Sequence, residues 1–355
     1  MTDERLHHLL GAITPIDAAA VTDAGNRQGQ LTKPAGALGM LEDASLRLCG
    51  IAGACPSPPL RRPVVAVFAG DHGVHAQGVT PWPQQVTTAM VANIRTGGAA
   101  INVLARQAGA DVVVVDMGVA ADLEAGPGLW DHKLRHGTSD LATGPAMSRD
   151  EAVTAVLAGA AVADALLDEG YDCLLCGDMG IANTTPSAAL VAALTGADPA
   201  QVTGRGTGVD GATLARKVAV VRGALAARPV TDDALDTLAS VGGFEHAGLV
   251  GFMLGAAARR APVLLDGVIA GSAALVAAAL APDVVGYCFA GHRSVEPGHG
   301  VALQHLGLRP LVDLDLRLGE GTGAVLAFPI VAAAGALLRE MATFDSAGVA
   351  RKDEE

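Results

Sequence analysis

Aromatic side chains are scarce: they make up 3% of a 355-residue chain in which half the residues are hydrophobic. The core must therefore be built from alanine, valine and leucine, with 45 glycines serving turns and close contacts. Positive charge is also in short supply. A formal net charge of −13 argues against a general nucleic-acid or anionic-membrane binder, which would normally be basic. It leaves room for a small phosphorylated ligand, which needs only local cations and backbone N–H groups. Long apolar runs are missing too. Val268–Pro282 is short and rich in alanine and glycine. It falls below the roughly 18–20 residues that span a bilayer, so a buried helix is expected. The cysteines, Cys49, Cys55, Cys173, Cys176 and Cys288, are odd in number and follow no signal peptide, which suggests reduced thiols in the cytoplasm. Cys173 and Cys176 have CxxC spacing, but leucines stand between them and no second pair completes a zinc site. Two further absences exclude enzyme classes. No G-x-S-x-G elbow marks an α/β-hydrolase, and no G-x-x-x-x-G-K-[ST] marks a P-loop ATPase.

What is present has a regular design. Leucine and isoleucine at helical spacing predict a helix over Met1–Ala20. A second helical stretch, Asp17–Gly50, is broken by a hinge at LTKPAGALGMLE, Leu31–Glu42. A proline-rich linker, Ala54–Pro63, follows. Short runs of valine and leucine then recur, each ending in polar residues or glycine: Pro63–Gly73, Asp111–Gly118, Cys173–Gly180, Pro262–Gly267 and Val284–His292. These read as strands buried on both faces. Alanine-rich helical patterns lie between them, at Val86–Ala108, Arg149–Leu167, Thr213–Ala227, Glu245–Arg260 and Ala270–Ala281. Alternation of this kind predicts an α/β fold with a doubly wound parallel sheet. Ligands bind such sheets beyond the carboxyl ends of the strands. Asp71, His72, Asp116, Asp178, Asp266 and His292 stand at those ends, about half of them expected as caps or turn formers. A C-terminal apolar helix, Thr322–Phe344, with a charged tail after it, is expected to pack on the N-terminal helices as a small second domain.

Several motifs offer chemistry. Gly206, Gly208 and Gly211 satisfy G-x-G-x-x-G, but no convincing strand precedes them, so a dinucleotide site is disfavoured. The loop can still cradle a phosphate, because the helix after it carries Arg216 and Lys217. GDMGIANTTPS, Gly177–Ser187, brings backbone N–H groups together with Asn183, Thr184 and Thr185, suited to a ribose phosphate or to an N-cap. GHRSVEPGH, Gly291–His299, has no zinc spacing and reads as a polar loop. LDLRLGEGTG, Leu314–Gly323, sets Glu320 between glycines at the mouth of an apolar segment. Alone, it reads as an N-cap of the following helix or as a base. A position at the helix start would keep it ionised.

Taken in order, LTKPAGALGMLE at Leu31, AGDHGV at Ala69, GVTPWPQQVT at Gly78, NIRTGGAAINVLAR at Asn93, CGDMGIANTT at Cys176, GGFEHAGLVGFMLGAA at Gly242, LLDGVIAG at Leu264, GHRSVEPGH at Gly291 and LDLRLGEGTGA at Leu314 span nearly the whole chain. Together they resemble the nicotinate-nucleotide–dimethylbenzimidazole phosphoribosyltransferase family. The resemblance implies a Rossmann-like sheet, residues 61–324, with a small helical domain from both chain ends, residues 1–60 and 325–355. It implies transfer of phosphoribosyl from nicotinate mononucleotide to 5,6-dimethylbenzimidazole for the lower ligand of cobalamin, with Glu320 as the base. It places Gly180, Lys217, Ser294 and Arg317 around the 5′-phosphate or the nicotinate carboxylate. Asp178, Asp266 and Gly267 fall near the ribose, and Trp82 and Leu318 beside the aromatic acceptor. It implies no metal or other cofactor, no nucleic-acid or membrane partner, a cytoplasmic location and a homodimer. The family often has glutamate where Asp178 stands and glycine where Ala182 stands. Other aromatic acceptors (adenine, another benzimidazole, a phenol) or a non-catalytic nucleotide-binding role are the alternatives.

Overall fold

A computed structural model describes residues 2–228, 231 and 233–350. The charged tail, 351–355, lies outside the described residues.

The chain opens with three helices, α1 (Thr2–Gly11), α2 (Ala18–Gln28) and α3 (Met40–Ala52). The single helix expected over Met1–Ala20 is two, parted around Pro15. Asp17 caps the second of them, its carboxylate accepting from Ala20 N–H at 2.8 Å. The sheet then begins with β1 (Pro63–Gly70). Helices α4 (Gln85–Arg95) and α5 (Ala100–Ala108) follow, where one helix was expected; the chain turns between them through Gly97, at φ +84°. Next come β2 (Asp111–Gly118), β3 (Leu129–Asp131), α6 (Arg149–Asp168) and β4 (Cys173–Met179). The three-residue strand β3 has no apolar run to announce it. The remainder runs α7 (Thr184–Thr195), α8 (Pro199–Val202), α9 (Gly211–Ala227), α10 (Ala234–Val241), α11 (Phe244–Ala258), β5 (Val263–Leu265), α12 (Val268–Leu280), β6 (Cys288–Ala290), α13 (Pro297–Leu306), α14 (Thr322–Glu340) and α15 (Phe344–Ala347). The strand expected from Val284 starts only at Cys288, because Pro282–Tyr287 closes into a 3₁₀ turn. The polar loop after β6 likewise ends early, Pro297 taking the first position of α13, where its missing N–H costs nothing.

All six strands are parallel, in the order β3-β2-β1-β4-β5-β6. That is a doubly wound sheet whose direction of winding reverses between β1 and β4. β1 is fully buried, as expected of an all-apolar central strand covered on both faces. α11 and α12 are buried along almost their whole length. Among the described residues, only α14 is long and apolar enough to cross a membrane, and 56% of its apolar window is buried inside the fold. It packs on α3, α5 and the ends of β4 and β5. A separate apolar cluster, Ala20, Ala24, Leu31, Cys49 and Leu338, joins α2, α3 and α14. Arg27 pins the same corner by donating to the Leu338 carbonyl at 2.5 Å. The five cysteines are free thiols.

Candidate active site

The parallel register brings Asp178 on β4, Asp266 just past β5 and His292 just past β6 to one edge of the sheet. The segment Leu314–Gly323 crosses that edge. Gly177 lies directly beneath it, and a Cβ there would sit 2.7 Å from the Glu320 carbonyl oxygen. The Glu320 N–H donates to the Asp178 carbonyl at 3.2 Å. Glu320 itself has φ +63°, a left-handed conformation that costs a non-glycine residue about 1–2 kcal/mol. Backbone strain of this kind persists where surrounding contacts fix it, and it concentrates at functional sites.

Glu320 does not cap the helix it precedes. Asp266 does, its carboxylate accepting from Gly321 (3.1 Å), Gly323 (2.7 Å) and Ala324 (3.2 Å) N–H at the start of α14. Asp266 also lies 3.4 Å from His292 Nε2. The Glu320 carboxylate turns the other way, and its Oε2 accepts from Ile101 N–H at 3.2 Å. Ile101 is the second residue of α5, whose N-cap position is an alanine with no side chain able to do the work. A helix start favours a charged carboxylate. Burial nevertheless dominates and raises the Glu320 pKa above the usual range; the Ile101 bond opposes this and Asp266 adds to it. The helix start beside the Glu320 carboxylate is thus that of α5, where the sequence had suggested the helix that follows it.

Beside it, Asp178, Gly180, Gly267, Ser294, Arg317 and Leu318 line a cleft with Asn183, Thr184 and Gly206. Asp178 accepts from Asn183 Nδ2 at 3.0 Å through Oδ2, while its Oδ1 is buried with no partner. Burial, reinforced by Asp266 and Glu245, raises the Asp178 pKa well above the carboxylate range. A buried oxygen without a partner, facing a cleft, suits a ligand hydroxyl. The Gly204–Gly208 loop forms the opposite wall. Gly206 N–H donates to Glu296 Oε1 at 2.6 Å, and Gly206 C=O accepts from Arg317 Nη1 at 3.1 Å. Behind the loop lies Lys217, 2% exposed, donating to Thr184 Oγ1 (2.9 Å) and Gly204 C=O (3.0 Å). Burial lowers its pKa, with Glu296 opposing. The loop stands between α8 and α9 rather than after a strand, which removes the context a dinucleotide fingerprint needs. Across the cleft, burial holds His299 down to about 3, so its neutral Nδ1 accepts from Ser294 N–H at 3.0 Å.

Four of the sequence candidates lie off the cleft wall: Glu320, next to the lining residue Gly319, and three others. Lys217 is one layer behind the wall. Asp266 is committed to α14. Trp82 is 48% exposed, on a loop tied to Arg216 through the Gly78 carbonyl. Asp71 and Asp116 serve the fold. Asp71 accepts from Thr87 Oγ1 and Ala120 N–H, and Asp116 from the N–H groups of Gly118 and Val119.

One feature leaves little trace in the sequence. The crevice between β1 and β4, where this topology usually takes its ligand, is filled by a buried array of charged and polar side chains. Glu245 Oε1 stands 2.8 Å from both His72 Nε2 and His246 Nδ1, and His246 Nε2 lies 2.8 Å from Ser187 Oγ. The first three residues are at most 1% exposed. Gly180 closes the crevice, so tightly that a Cβ there would sit 2.2 Å from the Gly70 carbonyl oxygen. An acid and a histidine, Glu245 and His246, inside an otherwise apolar helix were the available signal. Their partners are distant in sequence.

Larger hollows occur elsewhere. One of about 560 Å³ lies beside Arg135, Arg149 and Arg228, but each arginine is already committed, to Glu151, to Asp233 and Asp236, and to the Leu141 carbonyl respectively. Another, of about 630 Å³ between α1 and α6, is lined by Glu4, Arg5, His8, Asp164 and Arg259 among alanines and leucines, and Arg259 is already paired with Asp164 and Asp168. Among the described residues, no group of three or more His, Cys, Asp or Glu is arranged to hold a metal ion.

Comparison with known proteins supplies independent information. A family model described as phosphoribosyltransferase matches residues 13–349. The chain is 59% identical to the nicotinate-nucleotide–dimethylbenzimidazole phosphoribosyltransferase of Salinispora tropica, over 98% of this chain and 100% of that one. It is 55% identical to the protein of the same name from Chloroflexus aggregans, over 98% and 99%. The crystal structure of the Thermus thermophilus protein of that name superposes with a TM-score of 0.90 at 47% identity, covering 95% of this chain and 100% of that one.

Proposed function

The chain belongs to the nicotinate-nucleotide–dimethylbenzimidazole phosphoribosyltransferase family, and from that premise we propose how its cleft carries out the transfer. It is a pentosyltransferase of cobalamin lower-ligand synthesis: phosphoribosyl passes from nicotinate mononucleotide to 5,6-dimethylbenzimidazole, giving α-ribazole 5′-phosphate and nicotinate. The observation that carries the site reading is Glu320, a buried, strained carboxylate with one oxygen held by Ile101 and the other uncommitted.

In this reading a ring nitrogen of the benzimidazole attacks C1′ as the C1′–N bond to nicotinate breaks. The bonding pair returns to the pyridinium nitrogen, so the leaving ring departs neutral at that atom and needs no acid. Positive charge develops on the acceptor ring and acidifies its other N–H. Glu320 accepts that proton. Its raised pKa suits the role, because a base works best when its pKa lies nearer the working pH. Atoms and charge balance without a metal or redox group. The remaining rate comes from holding acceptor and C1′ in line.

The donor half falls to the cleft. Lys217 has two of its three donors committed, which leaves one for the 5′-phosphate beside the backbone of the Gly204–Gly208 loop. Ser294 and Arg317 complete the anion contacts, the unpartnered Oδ1 of Asp178 takes a ribose hydroxyl, and Leu318 walls the acceptor. The shared packing of α2, α3 and α14 supports reading residues 1–60 and 325–355, so far as they are described, as the small helical domain.

Nicotinate release from nicotinate mononucleotide, followed with and without 5,6-dimethylbenzimidazole, tests the proposal. Release should require the acceptor, and the product should carry ribose in the α configuration. Release at the same rate without acceptor would mark a hydrolase instead.

A further inference from the structure

We propose that Asn102 is a positioning residue for the transfer, setting the start of α5 so that Ile101 N–H grips one oxygen of Glu320 and leaves the other for the acceptor ring. The proposal rests on Glu320 being the base, and its test separates the two.

The motif NIRTGGAAIN has no place in the donor cleft, yet it builds the corner that meets Glu320. α4 ends at Arg95, the chain turns through Gly97 and Gly98, and α5 begins at Ala100. At this corner the residue in the N-cap position, Ala99, cannot satisfy the free N–H groups of α5 with its side chain. Two other side chains take over. Asn102, buried and one turn in, accepts from Ala99 N–H at 3.0 Å through Oδ1 and donates to the Ile94 carbonyl at 3.0 Å through Nδ2. One amide thus ties the last turn of α4 to the N-cap residue of α5. The second side chain is Glu320, 219 residues away in sequence, on Ile101 N–H.

The consequence is directional. Glu320 is fixed from behind by its left-handed backbone and by the Asp178 carbonyl. Its carboxylate is fixed from in front by Ile101. A corner free to swing would loosen that grip, and misplacement of a reacting group by about 1 Å can cost about a hundredfold in rate. The charged groups facing Glu320 are Asp178 on β4, Asp266 after β5 and, through Asp266, His292 after β6. None of them is altered by changing Asn102. Loss of the Ile101 bond alone moves the Glu320 pKa up, so the acid limb of the pH–rate profile moves to higher pH.

The experiment compares Asn102→Ala, Asn102→Ser, Glu320→Gln and the double variant Asn102→Ala/Glu320→Gln. It measures kcat, the KM for nicotinate mononucleotide and the acid limb of kcat/KM for 5,6-dimethylbenzimidazole. Asn102→Ala should lower kcat about tenfold and shift the limb upward, with donor KM within about twofold. Asn102→Ser, which can keep the bond to Ala99 N–H but lacks the Nδ2 that reaches the Ile94 carbonyl, should restore part of the rate. Serine can make this bond, as Ser346 of the same chain does in accepting from Thr343 N–H at 2.9 Å. In the Glu320→Gln background, Asn102→Ala should cost nothing further. Equal losses in both backgrounds, or an unmoved acid limb, would overturn the positioning role. A Glu320→Gln enzyme with full turnover would overturn the base assignment itself. A readout on the unaltered enzyme guards against a variant that does not fold. The Ile101 amide resonance should titrate with the acid limb, and an Ile101 amide indifferent to pH over that range contradicts the proposal.

Discussion

Replacing Glu320 by glutamine is expected to lower kcat by about 10²–10⁴-fold, the usual worth of a positioned general base. That is roughly 3–5 kcal/mol of transition-state stabilisation. Glutamine keeps the shape of the side chain and an oxygen for Ile101 N–H, so the corner between α4 and α5 should survive. What it removes is the capacity to accept a proton from the acceptor ring. Binding of nicotinate mononucleotide, measured by titration calorimetry, should change by no more than about twofold, because the donor contacts assigned here involve Asp178, Lys217, Ser294 and Arg317. The pH dependence gives the same distinction. Glu320 must be ionised to act, so activity should rise with pH through its raised pKa, and the glutamine variant should lack that limb. Turnover near that of the unaltered enzyme, from a folded variant, would remove Glu320 from the mechanism.

The largest effect on stability is expected at Glu245. Its carboxylate is buried between His72 and His246, and removing one member of such a group leaves the others uncompensated, at a cost of about 3–5 kcal/mol. For a domain with some 5–15 kcal/mol of net stability, Glu245→Gln should lower the urea midpoint sharply. The sign of the pH dependence follows from the two shifts. Burial alone would push the His72 pKa down, but Glu245 and Asp71 outweigh it and raise it above 6.5. That contribution is fully present below 6.5 and fades as pH rises through the raised folded value. Burial alone would push Glu245 up, but His72 and His246 outweigh it and hold it far below 4.5. That contribution is present above 4.5 and lost only as pH falls through the depressed folded value. The array therefore stabilises most between pH 4.5 and 6.5 and weakens on the alkaline side. Urea unfolding across a pH series should show that alkaline decline in the unaltered chain and its loss in Glu245→Gln. A variant within about 0.5 kcal/mol of the parent at every pH would show the array to be energetically idle.

The array also shows where reading a sequence stops. The buried strands and the polar residues at their ends were legible because periodicity and composition are local. So was Glu320, whose flanking glycines and apolar sequel set it apart. The partners of these residues were not legible. That Asp266 caps α14, while Glu320 caps α5 instead of its own helix, depends on chain segments brought together only by the closed sheet. The short strand β3 and the 3₁₀ turn before β6 were lost for a related reason: their pairing, rather than their composition, defines them. Glu245 and His246 stood out within an apolar helix, but His72 and Ser187 carry no mark that links them to it. Asp178 and Ala182 show a further limit. The shorter carboxylate accepts from Asn183 in the loop after β4, and Ala182 takes φ +77°, where glycine would be at ease.

Whether Glu320 meets the acceptor ring is open to direct observation, in a crystal structure with 5,6-dimethylbenzimidazole bound. The uncommitted Glu320 oxygen is expected at hydrogen-bond distance from a ring nitrogen, roughly 2.6–3.2 Å, with Oε2 still on Ile101 N–H. A ring seated in the cleft with both nitrogens turned away from Glu320 would contradict its role as the base.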